Sequence, residues 1–292
     1  MKSALDEHSP GGVKPVYYRL DDPQLSRDDP RVMSYAGNPF LTTLSHLRLA
    51  WSHDGRHFEI EPEPVLRGQG LLQTFGIEDC RVQWIDDKYW LTYTAVSEAG
   101  VAVAMSSTRD WLSFEHHGVI FPPHNKDCAL FPRKINGAYW ALHRPSGARI
   151  GGHNIWIANS PDLCHFGDHR CLARSRDGFF DSERIGANAS PIETDAGWLL
   201  LYHGADQKSR YGLGAMLLDR DQPWKVIGRT NEPILAPMAD YETSGFFNQV
   251  VFSNGHIVRG DQIDVYYGAA DQVICGSSAR LTDILGSIVP HQ

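Results

Sequence analysis

One short unit recurs along this chain, and it limits the fold more than any other feature. An aromatic, strand-like run appears five times: Leu47–Trp51, Lys88–Tyr93, Ala138–His143, Gly197–Tyr202 and Gln262–Tyr267. Four of the five follow a turn rich in Gly, Asp or Asn: Asp86-Asp87, Asn136-Gly137, Asp195-Ala196-Gly197 and Gly260-Asp261. Aligning Tyr93, His143, Tyr202 and Tyr267 gives steps of 50, 59 and 65 residues. A second element, Asp-x-x-x-Phe, follows the first three runs as Asp54/Phe58, Asp110/Phe114 and Asp162/Phe166, preceded by Ser52, Ser107 and Ser160. Self-similarity at this period, built of short strands and tight turns, indicates radial repetition of small antiparallel sheets. The expectation is an all-β chain: a five-bladed β-propeller over residues 31–292 behind an irregular extension, residues 1–30, lying as a tail or strap. A β-sandwich is the alternative, but its strands share no motif per unit. Trp51, Trp90, Trp140 and Trp198 recur in register and are expected in blade cores. Tyr89, Tyr139, Phe246 and Phe247 could stack on sugar rings, with core packing the default. The one helical pattern is near Ala279–Leu285.

Length and composition narrow the function. The chain has 292 residues and 42% hydrophobic content, enough for a substantial core. Its net charge of −8 argues against a nucleic-acid or anionic-membrane partner, so an anionic substrate would need a local basic pocket. The N-terminal MKSALDEHSPGG lacks a signal-peptide core, and no apolar run approaches membrane-spanning length. Five cysteines without paired spacing (Cys80, Cys128, Cys164, Cys171 and Cys275) read as free thiols in a reducing cytoplasm. The 14 histidines form no HExxH and no Cys/His knuckle, so no metal and no organic cofactor is expected.

In a propeller the innermost strands line the channel, so the segments before each aromatic strand should line the site. They are Tyr35–Phe40, Gly76–Val82, Asn125–Pro132, Arg184–Pro191 and Gly245–Val250. Each mixes polar groups with small and apolar ones, which suits a hydroxyl-rich ligand. Within Gly76–Val82, Asp79 and Arg81 are two apart and share a face of an extended strand. The arginine could orient the carboxylate or keep it ionised for proton transfer.

Several of these segments also carry a resemblance. Asn38-Pro39, Gly76-Ile77-Glu78-Asp79-Cys80-Arg81, Lys126–Pro132, His143-Arg144-Pro145, Tyr202-His203-Gly204 and Gly268-Ala269-Ala270-Asp271 stand in order over about residues 35–275. So does Val226–Thr230 with Pro233-Ile234-Leu235. The chain resembles glycoside hydrolase family 130, the mannoside phosphorylases and related β-mannosidases. The resemblance implies a five-bladed propeller with Asp79 as catalytic acid, acting through a sugar hydroxyl. Phosphate then attacks the anomeric carbon with inversion, giving α-mannose 1-phosphate. It further implies mannose contacts from Asn38 and Asp271, and phosphate contacts from Arg144, Arg184 and His203. Arg81, Lys126 and Asp127 are added as substrate-binding candidates. Cys80 stands where the family has proline, Arg184 where it has lysine, and Ala187–Pro191 where glycines and a proline pair are commoner.

The residues themselves leave a choice. Inverting hydrolysis needs a second carboxylate to activate water. Phosphate is already an anionic nucleophile and needs a cationic cradle instead. Asp127, Glu183 and Glu242 are candidate bases; Arg144, Arg184 and His203 are a candidate cradle. The expected activity is phosphorolysis of mannosyl-glucose or a β-manno-oligosaccharide, with inorganic phosphate as co-substrate. A β-mannosidase and a non-catalytic carbohydrate-binding propeller are the alternatives. A homo-oligomer is compatible with the sequence.

Overall fold

A computed structural model describes residues 2–6, 14–27, 32–41, 43–147 and 151–291. The chain forms two compact units, Met1–Glu78 with Ala95–Gly100, and Asp79–Thr94 with Val101–Gln292.

The larger unit is built on four antiparallel sheets in chain order. Sheet A has strands Ile77–Ile85, Lys88–Ser97, Gly100–Thr108 and Glu115–Phe121, with residues 77, 78 and 95–100 counting with the smaller unit. Sheet B has Asn125–Leu130, Tyr139–Pro145, Ile155–Ser160 and Gly167–Ala173. Sheet C is centred on Arg184–Ala187, Gly197–Ala205, Tyr211–Leu218 and Val226–Arg229, with Val289–Pro290 at its edge. Sheet D has Val251–Arg259, Gln262–Ala269 and Val273–Arg280.

Alternation along single strands decides how these sheets stack. In Gly197–Ala205, Trp198, Leu200 and Tyr202 pack with Phe131, Trp140 and Leu142 of the sheet B region. Leu199 and Leu201 point the other way and pack with Val251, Ile263 and Val265 of sheet D. Sheet B likewise turns Leu130, Tyr139 and Ala141 toward Trp90, Val103 and Met105 of sheet A. Sheets B and C, packed on both faces between A and D, make a propeller-like arrangement and exclude a two-sheet sandwich.

The turns follow the sequence. Asp86-Asp87 and Asn136-Gly137 hold φ of 47° and 62°, and of 51° and 82°, as tight hairpins require. The indoles of Trp90 and Trp140 donate to the carbonyls of Ile85 and Ile135, five residues earlier in each case. The repeated aspartates cap their loops. Oδ1 of Asp54, Asp110 and Asp162 each accepts the backbone N–H groups two and three residues on. Asp219 does the same without a following phenylalanine. The hydroxyl that joins these caps is Ser52, Thr108 or Ser160, so Thr108 takes the part expected of Ser107.

The count of five blades is not reproduced. Leu47–Trp51, the one run without a turn before it, supplies only His46–Leu47 paired with Leu66–Arg67 and Ala50–Trp51 paired with Glu59–Ile60. Trp51 is 51% exposed, unlike Trp90, Trp140 and Trp198. Without a tight turn to fix its register, this run does not zip into a full hairpin. Residues 1–30 are not wholly irregular either: Lys2–Asp6 pairs with Lys14–Tyr18, while residues 7–13 and 28–30 lie outside the described residues. Leu25–Ser26, Val32–Tyr35 and Asn38–Leu41 form a further small sheet in this unit. Gly76 is required here. Its φ is 98°, and a Cβ would meet the Ser45 carbonyl oxygen at 2.2 Å. The expected helix near 279–285 is Leu281–Gly286.

Candidate active site

Asp79 sits in the strand Ile77–Ile85 with φ of 56°, and Asp271 in the turn after Gln262–Ala269 with φ of 52°. Left-handed backbone is tolerated by Asp better than by most residues, and such positions concentrate at functional sites. Both aspartates line one cavity of 580 Å³, with Ser190, Phe252 and Asn254. Lys126 Nζ lies 3.6 Å from Asp79 Oδ2, and both side chains are about a quarter exposed, at 23% and 26%. The expected Asp79–Arg81 pairing takes a different form. Arg81 Nη1 donates to the backbone carbonyl of Asp79 at 2.7 Å, not to its carboxylate.

Arg81 is 3% exposed and fully engaged. Its Nε donates to the Asn188 carbonyl, and its Nη2 to Asp127 Oδ1 and the Ala187 carbonyl. It ties three sheets together, with each guanidinium nitrogen bonded to protein. The assignment of Arg81 to substrate binding is therefore corrected to bracing the site.

Asp127 is likewise withdrawn from the surface. Lys126 pairs with Arg144 and Ala129 with Leu142, so two residues, Asp127 and Cys128, oppose only His143. This bulge, with φ of 53° at Asp127, turns the carboxylate inward, where none of the side chain is exposed. Oδ1 takes Arg81 Nη2 at 3.2 Å, and Oδ2 takes Arg144 Nε at 2.5 Å. Burial by itself would raise this carboxyl group's pKa, but the Arg144 and Arg81 guanidinium groups hold it well below the usual carboxylate range. A buried carboxylate held by two arginines is a structural counter-ion. It is neither a sugar ligand nor a base that could activate water.

Glu242 is also committed. In the one-turn helix Asp240–Thr243, its Oε2 accepts the N–H groups of Met238 and Ala239, and its Oε1 accepts the Tyr267 hydroxyl. Glu183, the remaining candidate base, is exposed. Asn38 belongs to the smaller unit, where it begins the strand Asn38–Leu41 and pairs with Tyr35.

The expected cationic residues converge. Arg144 is 6% exposed and leans on Asp127 through Nε. Arg184 donates from Nη1 to the Tyr211 hydroxyl at 3.1 Å, while its Nε is buried without a partner. His203 is wholly buried, with Nδ1 3.0 Å from Asn188 Oδ1. Its Nε2 lies 3.3 Å from Asp127 Oδ2 but out of line for a hydrogen bond. Burial lowers the pKa of His203 against the opposing pull of Asp127, so its ring is neutral. Gly186 permits this packing, because a Cβ there would meet Asp127 Oδ2 at 2.3 Å and His203 Cε1 at 2.4 Å.

Asn188 and Ser190 fall within the expected Arg184–Pro191 segment, without a role assigned to either; Tyr211 and His153 were not foreseen. Only their proximity to the Arg184 strand, which is decided by sheet pairing, marks them. Phe247 approaches Tyr211 edge-on at 6.4 Å between centroids, and Phe246 is 38% exposed. Tyr89 packs between Trp84 and Trp111, and Tyr139 is buried in the core between sheets A and B. All five cysteines are free thiols, and burial pushes Cys80 up to about 12, so it is an inert neighbour of Asp79. Among the described residues no group of three His, Cys, Asp or Glu side chains could hold a metal ion, and no helix is long and apolar enough to cross a membrane.

These features agree with comparisons across known proteins. A family model for glycoside hydrolase family 130, described as beta-1,4-mannooligosaccharide phosphorylase, matches residues 28–288. A beta-1,2-mannobiose phosphorylase from Listeria innocua is 49% identical over 272 residues, 92% of this chain and 77% of the relative. A beta-1,4-mannooligosaccharide phosphorylase from Ruminococcus albus is 33% identical over 260 residues, 84% of this chain and 76% of that protein. The solved Listeria innocua beta-1,2-mannobiose phosphorylase, in complex with beta-1,2-mannobiose, superposes with a TM-score of 0.93 at 46% identity. That match covers 98% of this chain and 83% of that one. A profile match over most of the chain, a relative near half identity and a superposable solved structure converge on one assignment: the chain belongs to glycoside hydrolase family 130.

Proposed function

We propose that the protein is an inverting phosphorylase of β-1,2-linked mannosides that releases α-mannose 1-phosphate. The observation that carries phosphorolysis over hydrolysis is the state of the carboxylates. Asp79 faces the cavity and is partly exposed, whereas Asp127 and Glu242 are fully committed to protein partners. An inverting hydrolase needs a free base beside its acid, and a phosphorylase does not. The cationic cluster supports the same reading. Arg184 Nε is a buried donor without a hydrogen-bond partner, and a phosphate held by Arg144, Arg184 and Tyr211 beside His203 would satisfy it. Asp79 then serves as the acid, passing its proton through a sugar hydroxyl, and Asp271 and Lys126 contact the mannose. The β-1,2 linkage rests on the Listeria innocua relative, at 49% identity against 33% for the β-1,4-specific one. A cavity of 580 Å³ is within the range that holds a disaccharide-sized ligand.

The test is incubation with β-1,2- and β-1,4-mannobiose, with and without phosphate. The expected products are mannose and α-mannose 1-phosphate, formed only with phosphate and faster from the β-1,2 isomer. Free mannose alone, at equal rates without phosphate, would establish hydrolysis and make Glu183 the candidate base.

One further reading belongs to this proposal. The free thiols fit a cytoplasmic enzyme.

A further inference from the structure

We infer that His153 is an additional member of the phosphate cradle, and that it takes up a proton when the anion binds. The inference rests on the phosphorylase reading and deepens it.

His153 is tied to the cradle by its backbone. It bridges Arg184 in parallel, and its carbonyl accepts the Ile185 N–H at 2.9 Å. Its Nδ1 is buried without a hydrogen-bond partner, as is the Nε of the adjacent Arg184. Two such atoms on bridged residues are unusual in a folded interior, where nearly all buried polar groups are paired. A tetrahedral anion accepting from both would pair both.

The charged groups that act on His153 all belong to the surroundings of the cradle. Burial lowers its pKa first, followed by Arg144 and Arg184, while Glu183 and Asp127 act in the opposite direction. They come from Asn125–Leu130 and Tyr139–Pro145 of sheet B, and from Arg184–Ala187 and the residue just before it. Without an anion, burial and then the two arginines favour the neutral imidazole. A phosphate carrying about −1.5 to −2 charge reverses the sign of that field. The imidazole then gains a proton and becomes a charged donor to the anion. Phosphate affinity therefore weakens as pH rises, since a proton must accompany the anion.

Sulfate is a suitable probe because it does not titrate near neutrality. Calorimetric titration of the whole protein with sulfate at pH 7, in two buffers of different ionisation enthalpy, reads the protons taken up. The wild type should take up a measurable fraction of a proton, and His153→Asn should take up none. His153→Asn should also raise the KM for phosphate about tenfold at pH 6.5, a charge-assisted hydrogen bond's worth, while leaving the mannoside KM near that of the wild type. His153→Gln provides a second neutral variant should the first fold poorly. No uptake in the wild type, or uptake in the variants equal to that of the wild type, overturns the inference. So does failure of sulfate to bind. The phosphorylase reading fails separately, if no mannose 1-phosphate forms.

Discussion

Asp127→Asn separates a structural counter-ion from a catalytic base. Asparagine keeps the size of the side chain and tolerates a φ of 53°, so the backbone is not strained. It removes a charge that is wholly buried and that neutralises Arg81 and Arg144, themselves 3% and 6% exposed. Leaving buried arginines without their partner costs about 3–5 kcal/mol. In a unit of this size 1 kcal/mol moves Tm by about 2 °C, so the expected loss is about 6–10 °C. The amide also turns a donor toward Arg144 Nε or His203, loosening both. Hence the KM for phosphate should rise at least tenfold, a charged hydrogen bond's worth, with a smaller change in the mannoside KM. Differential scanning fluorimetry and initial rates at varied phosphate and mannoside test both parts. A Tm within 2 °C of wild type together with an unchanged phosphate KM would refute the reasoning; this margin is roughly the effect of 1 kcal/mol.

Other outcomes follow from the same geometry. Asp79→Asn should lower turnover by about 10²–10⁴-fold with little change in Tm, as loss of a general acid at a partly exposed position requires; activity near wild type would remove Asp79 from that role. Arg184→Ala should raise the phosphate KM well above any effect on the mannoside, and inhibition by sulfate should weaken in parallel. Stability should fall as pH drops below 6.5. His143 is buried against Phe121 with its pKa lowered to about 3, and His256 is lowered to about 4 by burial. The unfolded chain takes up these protons near 6.5 and the folded chain does not. The stabilisation is therefore complete above 6.5 and is lost toward the folded values, at up to about 1.4 kcal/mol per pH unit for each histidine. Thermal melts from pH 7.5 to 4.5 should show this slope, and His143→Gln should flatten it; an unchanged slope in that variant would count against the assignment.

Much of the fold was legible before any coordinates. Two-residue turns at Asp86-Asp87 and Asn136-Gly137 announce hairpins because few residues accept left-handed φ. The tryptophans at 90, 140 and 198 mark blade cores because an aromatic side chain at a fixed place in each repeat meets the same neighbours. Leu47–Trp51 misled for a related reason: its composition fits a strand, but no turn holds its register.

The sequence by itself determined the all-β repeat and the family, and it singled out the stretch Gly76–Val82. These are local properties, carried by spacing and residue type. Only the tertiary structure decided what each charge does. Arg81 and Asp79 are neighbours in sequence, yet the guanidinium bonds Asp127, Ala187 and Asn188, up to 107 positions away. Asp127 became a buried counter-ion because one bulge turned it inward. Which charge meets which is set by sheet pairing and burial, and chain spacing carries no trace of either.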